Sequence, residues 1–463
     1  MCKRGALSAL TATAFSGNRP RAAGDLSVET HGIAPIPEDQ RYGTPGRLFT
    51  VWFAPQVNMT GLFSGTLPIV LGLGFWLGLL ALAIGTVLGA LLVGYLSTMG
   101  PRTGAGQLPN ARMGFGGGVV LPAVLQWLSS IAWTALAGLF GGEALAVLLG
   151  IPFWLAVLIL LALQGVVGFF GYELIHRVQA VLTVVLFTTF VVFAVKLARG
   201  HDILTPAAVS GADLAGAFVL EVTIAFSIVL SWGPYASDFS RYLPTDAPPT
   251  RVSGFTFGGI VLGLLFIQGI GVAAANVVVE HTAEGVRSVL GGGLLGGVAL
   301  LIVAVAAVGA GAMTAYSGSL SLQVLGVRVR RSVSQVIVTV LAFGLILWLY
   351  AADTAARFQD VVLLVSYWIP GFAAVVLIDW TIRTRGGATI NPAEEATDRR
   401  NAVAAVAAFV LAYAAAIPFM NTSLVEGPIA KAWHGADVAY FVSLLVAALL
   451  YGGYRLLRMR RGA

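Results

Sequence analysis

The sequence predicts an all-α polytopic membrane protein with twelve transmembrane helices, and three observations predict it. Of 463 residues, 58% are hydrophobic and only 10% are charged, with a mean hydropathy of +0.88. A soluble chain of this length needs far more charge to cover its surface. Apolar runs of about 20 residues, the length that crosses a bilayer, recur at 47–70, 75–98, 119–140, 152–170, 175–198, 213–236, 253–277, 294–318, 332–352, 358–381, 401–420 and 437–457. With the amino terminus in the cytosol, only Lys196, Arg199, Arg287, Arg357 and Lys431 of the 27 Lys and Arg residues fall outside. That asymmetry obeys the positive-inside rule and puts both termini in the cytosol of a cell membrane. The net charge of +6 is therefore topological, and no nucleic-acid partner is expected. Cys2 is the only cysteine, which excludes an intramolecular disulfide and a cysteine-based metal cluster.

The elements follow in order. Residues 1–46 are polar and rich in Arg, Gly and Pro, without a secretory-signal pattern, and read as a cytosolic tail. The first run is interrupted by Gln56, Asn58, Thr60, Gly61, Ser64 and Gly65, flanked by Pro55 and Pro68; these weaken a helix and supply hydrogen-bonding groups. In the second, Gly85 and Gly89 stand four apart, a spacing that permits close helix packing. Gly116–Gly118 and Gly291–Gly293 follow no strand, so they are not phosphate loops. The sixth run carries Ser231-Trp232-Gly233-Pro234-Tyr235-Ala236-Ser237-Asp238-Phe239-Ser240-Arg241-Tyr242-Leu243-Pro244. Gly233 and Pro234 disrupt a helix there, and backbone opened at membrane depth survives only where protein buries it or it lines a wet cavity. A broken helix with a large aromatic is a candidate binding site; the bland alternative is a kinked packing helix with an interfacial Trp. Breaks in runs one and six, five apart, predict two inverted repeats, 47–198 and 213–381. Runs eleven and twelve (401–457) and a cytosolic tail (458–463) follow them.

Five motifs then resemble one family. They are Gly32-Ile33-Ala34-Pro35-Ile36-Pro37, Gly100-Pro101-Arg102-Thr103-Gly104-Ala105-Gly106-Gln107 with Arg112 and Gly116, Ser237-Asp238-Phe239-Ser240-Arg241, Thr314-Ala315-Tyr316-Ser317-Gly318-Ser319-Leu320-Ser321-Leu322-Gln323, and Gly435-Ala436-Asp437-Val438-Ala439-Tyr440. In this order they resemble the nucleobase–cation symporters, closest to the purine–cytosine permease branch. The resemblance implies a five-plus-five inverted repeat of the leucine-transporter type with two extra C-terminal helices. It also implies secondary active import, by alternating access, of a planar nitrogen heterocycle such as cytosine, a purine, uracil, allantoin or a hydantoin. No catalytic residue, bound cofactor or metal is implied, and no catalytic motif or metal-ligand spacing occurs in a suitable context.

In that family a Trp on helix three and a Trp on helix six stack the ring; these align with Trp133 and Trp232. Stacking on aromatic platforms contributes roughly 1–3 kcal/mol per base in other settings. The alternative for Trp133 is packing between helices. The family's amide four residues after the helix-three Trp is Ala137 here, and its helix-eight asparagines fall at Thr314 and Ala310. Gln56 and Asn58 offer amides instead, Gln56 being the one expected to face the cavity, with both donor and acceptor. These departures leave the choice among ring substrates open.

Sodium-coupled relatives use helix-one carbonyls and a Ser-Thr pair on helix eight. The aligned pair here is Val308-Gly309, which has no side-chain oxygen, whereas a hard cation wants several oxygen ligands. The expected co-transported cation is therefore a proton rather than sodium. Glu221, an acid within the sixth run, is the candidate proton-coupling group, against a wet or paired carboxylate. Asp238 and Arg241, at i, i+3, read as a helix-end ion pair or an inner gate, and Asp379 and Arg383, at i, i+4, as an ion pair. His176, beside Arg177, reads as an orienting loop residue. Two rivals remain: an amino-acid or amine permease of the same fold, and a non-transporting membrane receptor for a base. The expected partners are a small heterocycle and the lipid bilayer; nothing in the sequence sets an oligomeric state.

Overall fold

The apolar runs form helices joined by short helices and turns in this computed structural model, which describes residues 32–170, 172–326, 331–351, 354–385 and 398–460. The tails at 1–31 and 461–463, Cys2 and the His176 side chain lie outside the described set. Among the described residues, nine helices are long and apolar enough to cross a membrane, and shorter apolar helices at Met59–Val70, Phe153–Gly165 and Val336–Tyr350 fall in runs one, four and nine. The described residues hold no β-strand, only an isolated bridge between Asn421 and Glu426. Apolar side chains such as Val184, Val340, Leu294 and Leu449 lie exposed on the outer faces, as a lipid environment requires. This is an integral multi-pass membrane protein with the five-plus-five architecture of the leucine-transporter type.

Spans one, two, six and seven pack as one group, and spans three, four, eight and nine as another. Small residues set the distances. A Cβ at Gly85 would lie 2.3 Å from the Val222 carbonyl oxygen, and one at Gly89 2.8 Å from Val229 Cβ, so span two seats directly on span six. At Gly141 a Cβ would come within 2.4 Å of Ala307, which brings spans three and eight together. Without a hydrophobic drive between helices in lipid, such close backbone approach supplies the packing energy.

Span one is divided into helices Arg47–Phe53 and Met59–Ser64. Asn58 caps the second: its backbone is extended, its Oδ1 accepts from Gly61 N at 2.8 Å, and its Nδ2 donates to Pro55 O at 2.6 Å. Such a cap satisfies helix donors that have no partner of their own. The sixth span departs from the opened backbone expected at Gly233-Pro234. Its α-helix, Gly211–Leu230, gives way to a tighter 3-10 helix, Gly233–Phe239. Pro234 sits in the first turn of that helix, where a missing N–H costs nothing. Trp232 N still donates to Val229 O at 3.1 Å and Tyr235 N to Trp232 O at 3.0 Å. The helix changes pitch instead of unwinding.

Span ten holds a break that the sequence reading did not anticipate. Helices Thr354–Leu364 and Ile369–Thr384 are separated at 365–368. The break is pinned to span three, because Ser129 Oγ donates to Val365 O at 2.7 Å and accepts from Trp368 Nε1 at 3.1 Å.

The face that carries residue 32 and the end of the last helix is laced shut by residues 32–42. Ile36 N donates to Gly104 O at 2.9 Å and Tyr42 N to Tyr242 O at 2.6 Å. Arg41 Nη1 donates to Pro101 O at 2.6 Å, and Arg241 Nη1 to Gly32 O at 2.7 Å. Gly104 takes φ +68, the left-handed region where glycine carries no steric penalty.

Candidate substrate site

A narrow cavity of about 50 Å3 opens where the division in span one meets spans three, six, seven, eight and ten. Gln56, Trp133, Ala137, Trp232, Ala310 and Thr314, the six positions singled out in the sequence, all line it. Ile228, Tyr235, Leu264 and Phe358 also line it and were missed. Tyr235 carried a faint signal, three residues beyond Trp232; Phe358 and Leu264 carried none.

Every lining side chain is uncharged, and most of the polar ones are already committed. Ser64 donates to Gly61 O at 2.8 Å, Ser231 to Ile228 O at 2.6 Å, Thr60 to Leu136 O at 3.3 Å and Thr314 to Ala310 O at 3.3 Å. Asn58 is spent on its cap. Gln56 Nε2, Trp133 Nε1 and Tyr235 Oη are buried without a hydrogen-bond partner among the described residues. A buried donor left unmade costs about 1–3 kcal/mol, so these are the groups with most to gain from a bound polar molecule. The free polar atoms of the site are thus dominated by donors.

Trp232 is braced from behind. Its ring meets Trp52 edge-on, centroids 5.6 Å apart, and Tyr235 at 6.0 Å, while Trp52 meets Phe239 edge-on at 5.6 Å. Glu221 does not line the cavity. It lies seven residues before Ile228 on the same helix face, about 10 Å further along the sixth span at 1.5 Å per residue. It is fully buried, and neither carboxylate oxygen has a partner among the described residues. Gly309 turns toward Leu182 and Gln179 of span five. Among the described residues no three His, Cys, Asp or Glu side chains are placed to hold a metal ion.

Asp238 and Arg241 lie beneath the cavity, where each has a partner outside the i, i+3 pairing. Asp238 Oδ1 accepts from Gln107 N at 2.9 Å, and Arg241, fully buried, donates to Tyr316 Oη at 2.8 Å as well as to Gly32. Asp379 does pair with Arg383, at 2.6 Å, and also accepts from Arg455 and from Tyr451 Oη, the latter at 2.9 Å.

A divided first span in a multi-pass helical bundle, with a neutral cavity at the division, is the arrangement of a membrane transporter, and the matching family and relatives are permeases and not enzymes. The family model described as permease for cytosine/purines, uracil, thiamine, allantoin matches residues 35–443, and the chain belongs to that family. YxlA of Bacillus subtilis, which carries a purine-cytosine permease name, is 27% identical over 442 residues, covering 92% of this chain and 95% of that protein. The purine-cytosine permease fcyB of Emericella nidulans is 26% identical over 454 residues, covering 93% and 89%. Among solved structures, the nucleobase-cation-symport-1 family transporter Mhp1, closed with bromovinylhydantoin bound, superimposes with a TM-score of 0.73 at 18% identity. That match covers 94% of this chain and 97% of that one, and it speaks for the fold.

Proposed function

We propose that the protein imports a neutral, planar nitrogen heterocycle by alternating access, coupled to a proton. The observation that carries this reading is the uncharged cavity walled by Trp133 and Trp232, with the unpaired Gln56 Nε2 at its edge. Indole faces accept any flat ring. The Gln56 amide then offers a donor and an acceptor to that ring's polar edge, while Ala137, Ala310 and Thr314 shape the remaining wall. The relatives named for purines and cytosine, and Mhp1 with its hydantoin, support a substrate of this kind.

Residues 47–198 and 213–381 are proposed as the two repeats that rock about the cavity, with 401–457 appended. Both termini are proposed to face the cytosol across the cell membrane, in accord with the Lys and Arg distribution. The absence of a side-chain oxygen at Val308-Gly309 favours a proton over sodium, and Glu221, buried and without partner among the described residues, is the proposed carrier. An amino-acid or amine permease is disfavoured because a zwitterion or ammonium would meet no counter-charge among the lining side chains. A receptor would bind without accumulating.

A thermal-shift screen of the purified protein against nucleobases, allantoin, hydantoins and vitamin-like heterocycles tests the substrate class, because a bound ligand raises apparent stability by mass action. Uptake of the best hit into sealed vesicles separates transporter from receptor. Accumulation that follows an imposed pH gradient is expected. Accumulation that requires sodium at constant pH gradient and voltage rejects the proton.

A further inference from the structure

Between the cavity and the laced face lies a second set of polar groups with unmet hydrogen-bonding capacity. Gln126 is 1% exposed, and both polar atoms of its amide are buried without a well-formed partner among the described residues. It stands seven residues before Trp133 on span three, hence on the same helix face and about 10 Å nearer the face that carries Gly32 (the terminal face). Tyr235 is its neighbour, near enough for the hydroxyl and the Gln126 amide to share a loose hydrogen bond, and neither side chain has a well-formed partner among the described residues. Ser317, 1% exposed and also without a partner, follows Thr314 by three residues on span eight. A Cβ on the adjacent Gly318 would lie 2.7 Å from Ser130 Oγ, which fixes Ser317 at a level between Trp133 and Gln126.

The layer beyond is closed. Gln107 Oε1 accepts from Ser237 Oγ at 2.8 Å, Arg241 binds Tyr316, and Phe239 packs on Tyr316 with centroids 6.1 Å apart. Burying three polar side chains whose hydrogen-bonding capacity is largely unmet is unfavourable. They stand on the three spans whose walls extend directly from the cavity, and Tyr235 belongs to both levels.

We propose that Gln126, with Tyr235 and Ser317, forms an inner station that receives the polar edge of the heterocycle as it leaves the Trp133–Trp232 slot toward the terminal face. The Gln126 amide pairs with an N–H beside a C=O on the ring, and the Tyr235 hydroxyl serves a second ring oxygen or nitrogen. This rests on the import reading above and adds a site to it.

The test uses full-length protein in liposomes, with exchange of a radiolabelled heterocycle measured from each face. The probe is whichever of cytosine, uracil, hypoxanthine, allantoin and hydantoin stabilises the protein most. Gln126→Leu should raise the half-saturating concentration on the terminal face about five- to tenfold, the size of one lost hydrogen bond, and leave the opposite face within about twofold. Tyr235→Phe, which removes a hydroxyl that also lines the central cavity, should weaken both faces. Equal weakening of the two faces by Gln126→Leu, or no change on either, overturns the station. In a Cys2→Ser background, Gln126→Cys should react with a membrane-impermeant thiol reagent from the terminal face, and the heterocycle should slow that reaction. A thiol that is inert, or that reacts equally fast with substrate present, overturns the proposal independently. If no heterocycle binds the unmodified protein, the import reading fails and the station falls with it. If binding and uptake stand and the two faces respond alike to Gln126→Leu, the station alone is wrong.

Discussion

Trp232 stands edge-on against Trp52, ring centroids 5.6 Å apart and planes crossing at 87°. Edge-to-face geometry sets the positive rim of one ring on the negative face of the other, and such pairs contribute about 0.5–1.5 kcal/mol beyond their buried area. Trp52 belongs to the helix before the division in span one, so the division and the cavity wall are mechanically joined. Whatever tilts the Arg47–Phe53 helix also turns the Trp232 ring.

Replacing Trp52 by Leu should therefore weaken substrate binding without touching a substrate atom. The expected loss is about three- to tenfold in affinity, the equivalent of the aromatic pair, with Trp52→Phe recovering much of it. Equilibrium binding to purified protein measures this, and unchanged affinity in the Leu variant removes the bracing role.

Trp133→Ala should cost roughly 1–3 kcal/mol of binding, about five- to 150-fold, and should do so for every ring the protein accepts, since stacking is indifferent to ring edges. Gln56→Leu should instead change the ranking among rings. A competition series against one labelled heterocycle distinguishes a uniform loss from a reordering.

Asp379, 2% exposed, gathers Arg383, Arg455 and Tyr451 from spans ten and twelve. Asp379→Ala strands these cations in a partly buried setting and should destabilise the fold by about 3–5 kcal/mol. The readout is thermal unfolding in detergent, where a shift no larger than that of a surface substitution would count against the cluster's structural role.

Gly85→Val places side-chain atoms where a Cβ alone would already lie 2.3 Å from the Val222 carbonyl oxygen. Overpacking of this kind costs about 1–3 kcal/mol or more, and spans two and six should separate. Gly254→Val, where a Cβ meets nothing within 4 Å, is the matched control and should unfold like the parent.

Glu221→Gln should abolish accumulation driven by a pH gradient while exchange at equal substrate concentration persists. Full gradient-driven accumulation in this variant would exclude Glu221 as the proton carrier.

Much of the architecture was legible because membrane helices announce themselves by hydropathy and length. The division in span one was visible as Gln56, Asn58 and Gly61 in apolar surroundings, although the capping use of Asn58 emerged only from its hydrogen bonds. The sixth span shows the limit of the Gly-Pro signal. Pro234 fits the start of a 3-10 turn as readily as it breaks an α-helix, and the sequence does not choose between them. The break at 365–368 was overlooked because Val365 and Trp368 are apolar and Pro370-Gly371 falls past it. Residues such as Trp52 and Phe358 reach the site only through helix packing, which one-dimensional periodicity does not encode.

The segment 32–42 also limits how modular this protein can be. Gly104 has no room for a side chain, since a Cβ there would sit 2.3 Å from Arg41 Nη2 and 2.7 Å from Ile36 O. The leading segment and the connection between spans two and three therefore form one lock and key. A chimera that borrows either piece alone from a relative should jam, and one that borrows both together should work.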